Sequence, residues 1–473
     1  MAMIRSGMIV LVANCVDVGA VLARNVILAR LLSVEQFGLA STFAILMTMI
    51  ETFQNVGLNR LVVQNARADD PSFVASLHGA QIVVSMGAAA VLALLAFPFA
   101  MLMGTPSLAP AYLLMAIVPL VNAFTNLESF RVQREGRFGP QVIRSLLSQP
   151  IGLLVILPAY WWLGDHRTAL VAIIAQQAAA AILTHVAAGR PYRVAFDRLV
   201  WRRVMAFGWP LIANGLLMFL ILDGDRMVVL NRFGPAALGW FSAAVMLTLT
   251  PANLIAKSLQ TITLPALARA QAEPLTFRRI YDASLACAAL IVVGMVVGTL
   301  LLGELVLTAL FGAKFLPASA FLTALACMNG MRLFRAVPAI AAMARGDSRN
   351  PLYANFVRVL GVPAALIAAL AAGAIAPMLL AGVLTELASA AVASVLARRQ
   401  VGANGHCDAL ILSMLALCVS AAFAVSYYGG YLWLILLPPV AALVFICVSV
   451  LDPFQSPALS RFRLMAAHRS RRA

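Results

Sequence analysis

Apolar runs of about twenty residues follow one another along the whole chain, the length a helix needs to cross the hydrocarbon core of a bilayer. Fourteen are predicted, near residues 6–31, 36–58, 73–99, 108–130, 140–163, 168–189, 204–227, 236–263, 279–302, 317–343, 351–371, 376–397, 409–428 and 431–450. The breaks at 371–376 and 428–431 are the shortest. The pattern is all-α throughout.

The stretch from Asp17 to Gly38, DVGAVLARNVILARLLSVEQFG, breaks the apolar rule. It is greasy enough to lie in a bilayer, yet it carries Asp17, Arg24 and Arg30. A guanidinium in hydrocarbon costs roughly 2.5–3.5 kcal/mol on the insertion scale, so such groups face a protein interior or a wet cavity. Helical rise puts Arg24 roughly 9 Å below the membrane edge that Arg30 marks. Asp17 lies two turns earlier on nearly the same face. Arg226 and Arg232 repeat the spacing of Arg24 and Arg30, at an offset of 202 residues. Gly38 and Gly239 then open new apolar spans that lead to Arg67 and Arg269, so the chain carries an internal duplication.

Hydrophobic residues make up 63% of the chain and charged residues 11%, which excludes a soluble globular protein. The net charge of +16 reads as topology. Of 34 Lys and Arg, 24 fall at span ends on the side of the N-terminus and six on the other, which predicts cytoplasmic termini and an even span count. No compact basic domain with base-stacking aromatics exists, so no nucleic-acid partner is expected. Asp17 interrupts the first apolar run and no small-residue cleavage site follows, so the run reads as a span and not as a signal peptide. The six cysteines form no CxxC, and five fall inside spans as small apolar residues.

Catalytic motifs are missing. There is no GxxxxGK[ST]. Asp223-Gly224-Asp225 has the form of a sugar-transferase DxD but sits at the outer end of a span, where an acidic helix end paired with Arg226 and Arg232 explains it. His78, His166 and His185 lack metal-ligand spacing, and no cofactor is implied. What remains are polar residues inside spans. The candidate anion-binding cations are Arg24, Arg226, Lys257, Arg332, Arg335 and Arg358; the acids are Asp17, Glu51, Glu128, Asp282 and Glu386. Glu51, Asn55 and Asn59 form a helical stripe, as do Asn253, Lys257 and Gln260. With no nucleotide motif, uphill transport must draw on an ion gradient. Asp17, Glu51 and Glu386 are the mid-span carboxylates able to take a proton, Glu51 and Glu386 the better two because Arg24 would hold Asp17 charged.

Two six-span halves inserted in the same direction are related by an axis along the membrane normal, the parallel-repeat plan of alternating-access transporters. The reading divides the chain into six-helix bundles at 1–203 and 204–400, and two added helices with a basic cytoplasmic tail at 401–473. A cavity with several guanidinium groups suits a multiply charged anion, since arginine offers phosphate a two-pronged contact.

ILARLLSVEQFGLASTFAI, followed by FQNVGLNRLVVQNAR, resembles the opening of Wzx-type polysaccharide flippases, and DRMVVLNRFGPAALGWFSAAVMLTLTPANLIAKSLQTITLPALAR resembles the start of their second half. The likeness extends over the chain in span pattern. It implies the fold of the multidrug/oligosaccharidyl-lipid/polysaccharide exporters, an inner-membrane location, and transfer of an undecaprenyl-diphosphate-linked oligosaccharide between leaflets for exopolysaccharide, O-antigen or capsule. A polysaccharide polymerase and co-polymerase are the partners it implies. Arg24 matches a cavity arginine in the first helix of related lipid-linked-precursor flippases, but Asn25 follows it where the peptidoglycan-precursor branch has an acid, which tells against that role. A drug/cation antiporter of the same fold would want carboxylates to dominate the cavity. A membrane-embedded glycosyltransferase or polymerase would want larger outer loops.

Overall fold

The computed structural model describes residues 2–65, 69–135, 137, 139–347, 349–401, 406–428 and 433–451. Every element among them is helical and none is a strand. Arg67 and the basic tail beyond 451 lie outside the described residues. Nine of the described helices are long and apolar enough to cross a membrane, and two apolar runs, Pro106–Asn122 and Ile435–Leu451, are shorter.

Helix starts follow local chemistry. α1 spans Ala2–Leu31 and α2 Val34–Gln54, with Ser33 between them accepting from the Gln36 amide at 3.2 Å. After α3 (Leu58–Gln64), Asp70 caps α4 (Pro71–Leu102) in the same way, ahead of a proline that fits the first helical turn.

The predicted span 108–130 is not continuous. It breaks into α5 (Ala109–Leu114), α6 (Ile117–Asn122) and α7 (Glu128–Arg134). Pro119 has no N–H to offer Met115, whose carbonyl takes the Val118 amide instead, so the first break follows from proline chemistry. Then come α8 (Gly139–Leu163) and α9 (Arg167–Val186). The two spans expected at 204–227 and 236–263 join as α10, Arg198–Arg269, in which Gly234 adopts φ 83° and ψ 178°. That region is open essentially to glycine alone, so Gly234 is the joint between the two limbs. α11 (Pro274–Phe311) and α12 (Ser319–Ala344) follow. The span expected at 351–371 is split into α13 (Arg349–Val359) and α14 (Gly361–Ala372), and α15 (Ile375–Val401), α16 (His406–Tyr428) and α17 (Trp433–Leu451) complete the order.

The chain divides into two compact units, the first made of Met1–Met246 and Val306–Ala318, the second of Leu247–Leu305 and the residues from Ser319 onward. This division differs from the repeat boundary at 203/204, and packing explains the difference. Val200 and Val204 at the start of α10 are buried with Val56, Leu61, Phe73 and Leu77 in one apolar cluster of the first unit.

Also in the first unit, a Cβ built on Gly38 would collide with the Pro235 carbonyl, and one on Gly239 with the Val34 carbonyl. Gly38 and Gly239 are repeat partners, as are Val34 and Pro235, each pair 201 residues apart. The contact is therefore reciprocal, the signature of an approximate two-fold relation at that point. Close by, Lys314 Nζ donates to the Arg30 and Leu32 carbonyls at the end of α1 (3.2 and 2.5 Å). Arg30 in turn donates through Nε to the Leu310 carbonyl (2.9 Å) and through Nη2 to that of Ala309, at the end of α11. Each helix end has its orphan carbonyls met by the other's cation. Phe37 packs against Phe315 beneath them, with ring centroids 5.3 Å apart. Arg30 thus does more than mark a membrane edge.

Gly38→Ala forces a methyl into backbone and is expected to cost about 1–3 kcal/mol. Gly87→Ala, where a Cβ meets nothing within 4 Å, should be neutral or stabilising. Thermal unfolding of the purified proteins checks this, and equal melting points for the two variants would refute the close contact.

Candidate functional site

Two groups of polar side chains stand inside the apolar helices, one in each unit. The first is organised around the gap between α6 and α7. Residues 123–127 run outside regular helix, and irregular backbone at membrane depth survives only where protein satisfies it. Side chains from other helices do so here. Gln81 donates to the carbonyls of Asn122 (2.6 Å) and Thr125 (3.1 Å). His185 bonds the Phe124 carbonyl at 2.6 Å. The Tyr192 hydroxyl donates to that of Ala123 at 3.1 Å; burial pushes this phenol up to about 12, so it stays a donor. The Asn126 amide reaches Thr184 Oγ1 at 2.9 Å and the Leu127 amide reaches His78 Nε2 at 3.1 Å. Since His78 Nδ1 faces the Arg193 carbonyl at 2.9 Å, this network requires the neutral Nδ1–H tautomer.

Against this segment lies a pocket of about 340 Å³, bounded by Glu51, Asn55 and Asn59 from the predicted stripe, by Gln54, Gln81 and Asn122, and by Arg144. Arg144 is one of the 24 basic residues counted at span ends on the side of the N-terminus. The structure turns it inward, where it is the guanidinium within electrostatic reach of both Asp17 and Glu51. Ser145 stands beside Asp17 as well. The expected partnership of Asp17 with Arg24 is therefore replaced by one with Arg144 and Ser145. Arg24 instead donates to the neutral amide of Gln176 at 2.6 Å, and no carboxylate among the described residues forms an ion pair with it. Arg226 pairs with buried Asp223 at 3.0 Å. The first part of the DxD-like triplet thus neutralises the arginine that follows it.

The second group, in the other unit, is centred on Glu386, which is 3% exposed. One of its oxygens accepts from Arg332 Nε at 2.5 Å and from Arg358 Nε at 3.0 Å. Arg332 also reaches Asn329, which is fixed in turn by Thr248 at 2.9 Å. Asn355 accepts from Arg358 at 3.4 Å and from Arg335 at 3.3 Å. Two guanidinium groups thus share one carboxylate, and a third, Arg335, joins the cluster through Asn355. Arg335 is the least committed, with its buried Nε–H unpartnered. Lys257 is exposed and has no polar partner among the described residues. Glu386, expected as a proton carrier, thus has one oxygen engaged by two guanidinium groups.

The sequence model of the polysaccharide biosynthesis protein family matches residues 27–320, more than half of the chain. The chain belongs to that family. No curated protein matches it. Among solved structures it is similar to an inward-facing multidrug resistance MATE transporter of the MOP superfamily, at 15% identity and a TM-score of 0.67, over 81% of this chain and 94% of that one. It is also similar to the lipid II flippase MurJ in an inward closed conformation, at 12% identity and a TM-score of 0.62, over 95% of this chain and 98% of that one. The family member described here therefore has the all-helical, multi-pass fold of these transporters.

Within that fold the committed and uncommitted cations separate cleanly. Arg226, Arg332 and Arg358 each have a carboxylate partner; Arg24, Arg335 and Lys257 have none in ion-pair contact. Removing the shared partner should be costly. Glu386→Gln leaves two buried guanidinium groups uncompensated and is expected to destabilise the protein by about 3–5 kcal/mol. Adding Arg358→Gln should recover part of the loss. Glu51→Gln, which breaks no ion pair, should leave the melting temperature unchanged. A Glu386→Gln variant as stable as the parent would show that the triad is not the ionic arrangement described.

Proposed function

We propose that this protein is a flippase, not an enzyme, that carries an undecaprenyl-diphosphate-linked oligosaccharide across the cytoplasmic membrane for surface polysaccharide synthesis. The arrangement that carries the reading is the fan of Arg332, Arg335 and Arg358 around a single carboxylate, a net positive site fixed inside apolar helices. Planar guanidinium groups match phosphate oxygens two at a time, and a diphosphate offers several. Membership of the polysaccharide biosynthesis family supports a glycan as the cargo. Both termini lie in the cytoplasm on this reading, as the basic residues suggest.

Arg24, Arg335 and Lys257 are the cations with capacity left for the diphosphate, while Arg226, Arg332 and Arg358 set the local field and geometry. The lipid tail stays in the bilayer, and the glycan passes on to a polymerase and its co-polymerase. If transport is proton-coupled, the carriers are Glu51 and Asp17, since Glu386 is occupied by two arginines.

A drug/cation antiporter is the second reading. The carboxylates Asp17, Glu51 and Asp223 of the first unit favour it, as does the likeness to a MATE transporter. Arg24 separates the two. Lysine keeps its charge but loses the fork that grips a diphosphate. Arg24→Ala is expected to abolish surface-glycan export at normal protein levels, and Arg24→Lys to reduce apparent affinity about tenfold to a hundredfold, the equivalent of one charge-assisted bond. Export is read in a strain lacking the native gene. Unimpaired export by well-inserted Arg24→Ala protein would place the diphosphate site elsewhere, with Arg332 the next residue to test; efflux of ethidium by a parent protein that supports no glycan export would favour the antiporter.

A further inference from the structure

The pocket beside the broken segment has a wall of amides and one acid–base pair, chemistry of another kind from the arginine fan of the second unit. We propose that it is a carbohydrate subsite that takes one sugar ring of the cargo, an inference that rests on the reading of that cargo as a lipid-linked glycan. A sugar hydroxyl both donates and accepts, so a wall that recognises a ring must alternate donors with acceptors. This wall does so. Glu51 supplies an acceptor, Arg144 donors, and the side-chain amides of Asn55 and Asn59 supply both. Glu51 on α2, Asn55 at its C-terminal end and Asn59 at the start of α3 are exposed to solvent.

Gln81 stiffens the back of this wall. Gln81 is 8% exposed, and both of its amide N–H bonds are committed to the carbonyls of Asn122 and Thr125. That fixes the orientation of the amide and leaves its oxygen with no donor. Gln54 next to it is held by Asn122 at 3.0 Å and by Ser85 at 2.9 Å, so the wall is in place before any ligand arrives. Phe130 and Leu127 offer an apolar face on which the C–H side of a ring can lie. At about 340 Å³ the volume falls within the range of small-ligand sites. A phosphate would meet Glu51, and a lipid chain would meet the amides. The charge and polarity of the wall favour a ring of hydroxyls over either.

The test uses full-length protein in amphipol, since sugar-headed detergents would compete. Melting temperature is followed with glucose, galactose, N-acetylglucosamine, rhamnose and glucuronate, with open-chain sorbitol as the co-solute control and farnesyl diphosphate as a separate probe. At least one cyclic sugar should stabilise the parent protein where sorbitol does not. Glu51→Gln and Asn55→Ala, which remove no internal hydrogen bond, should each weaken that sugar about tenfold while leaving the farnesyl diphosphate response intact. Arg24→Ala should do the reverse. Stabilisation by farnesyl diphosphate with no effect of any sugar overturns the pocket and leaves the flippase reading standing. A sugar effect undiminished in Glu51→Gln and Asn55→Ala also overturns it. A sugar effect lost in those variants, without any response to farnesyl diphosphate, upholds the pocket and removes the diphosphate reading. A farnesyl diphosphate response that fails in Glu51→Gln but survives in Arg24→Ala makes the pocket an anion site and ends the carbohydrate assignment.

Discussion

A charged group among apolar helices has to be paired, hydrogen-bonded or wet, and that constraint sorts almost every functional side chain in this protein. Glu386 satisfies it through two guanidinium groups, and Arg226 through Asp223. Arg24 satisfies it with a single neutral amide. A neutral partner compensates only part of the desolvation of a guanidinium, so Arg24 retains electrostatic reach that the paired arginines have lost. The residues able to bind an anion are therefore those whose local neutralisation is incomplete. Depth in the helix is a poorer guide than partnership.

The same constraint acts on the backbone between α6 and α7. Its exposed amides and carbonyls would be intolerable in lipid, and the structure recruits His78, Gln81, Thr184, His185 and Tyr192 to meet them. These side chains come from α4, α9 and the segment before α10, so the break is built by tertiary structure and, once built, is rigid. Rigidity has a consequence for the neighbouring pocket. Gln81 cannot rotate to find its own oxygen a donor without releasing two carbonyls. An unsatisfied acceptor is thus retained because a more expensive loss prevents its relief.

Much of this architecture was legible in the residues. The apolar runs marked the helices, the repeated arginine spacing marked the duplication, and Gly38 and Gly239 proved to be partners in space as well as in sequence. The break at 123–127 was not legible, because 108–130 has the length and hydropathy of an ordinary span. Pro119 marks only the earlier break between α5 and α6, and the captured carbonyls of 123–127 depend on side chains distant in the chain. Arg144 was misplaced for a related reason. At the first turn of an apolar run, an arginine facing the loop and one turned inward have the same sequence signature. The pairing of Glu386 was likewise out of reach, since a list of buried acids and bases does not say which helices meet.

Duplication explains why the two equivalent arginines ended so differently. Arg24 and Arg226 occupy matching places in the repeat, and in each case the residue three positions earlier lies one helical turn away on the same face. In the second copy that residue is Asp223, which pairs with Arg226 at 3.0 Å. In the first it is Val21, which offers only a backbone carbonyl, and that carbonyl is taken by Asn25 at 2.8 Å. Asp17 has no counterpart either, since its matching position is Phe219. A repeat with both arginines neutralised would keep the scaffold and lose the charge that attracts an anion; one with neither neutralised would add a second uncompensated guanidinium to the first unit. The chain holds the intermediate arrangement, in which one side-chain difference, valine against aspartate, decides which of two repeat-equivalent arginines keeps no carboxylate beside it.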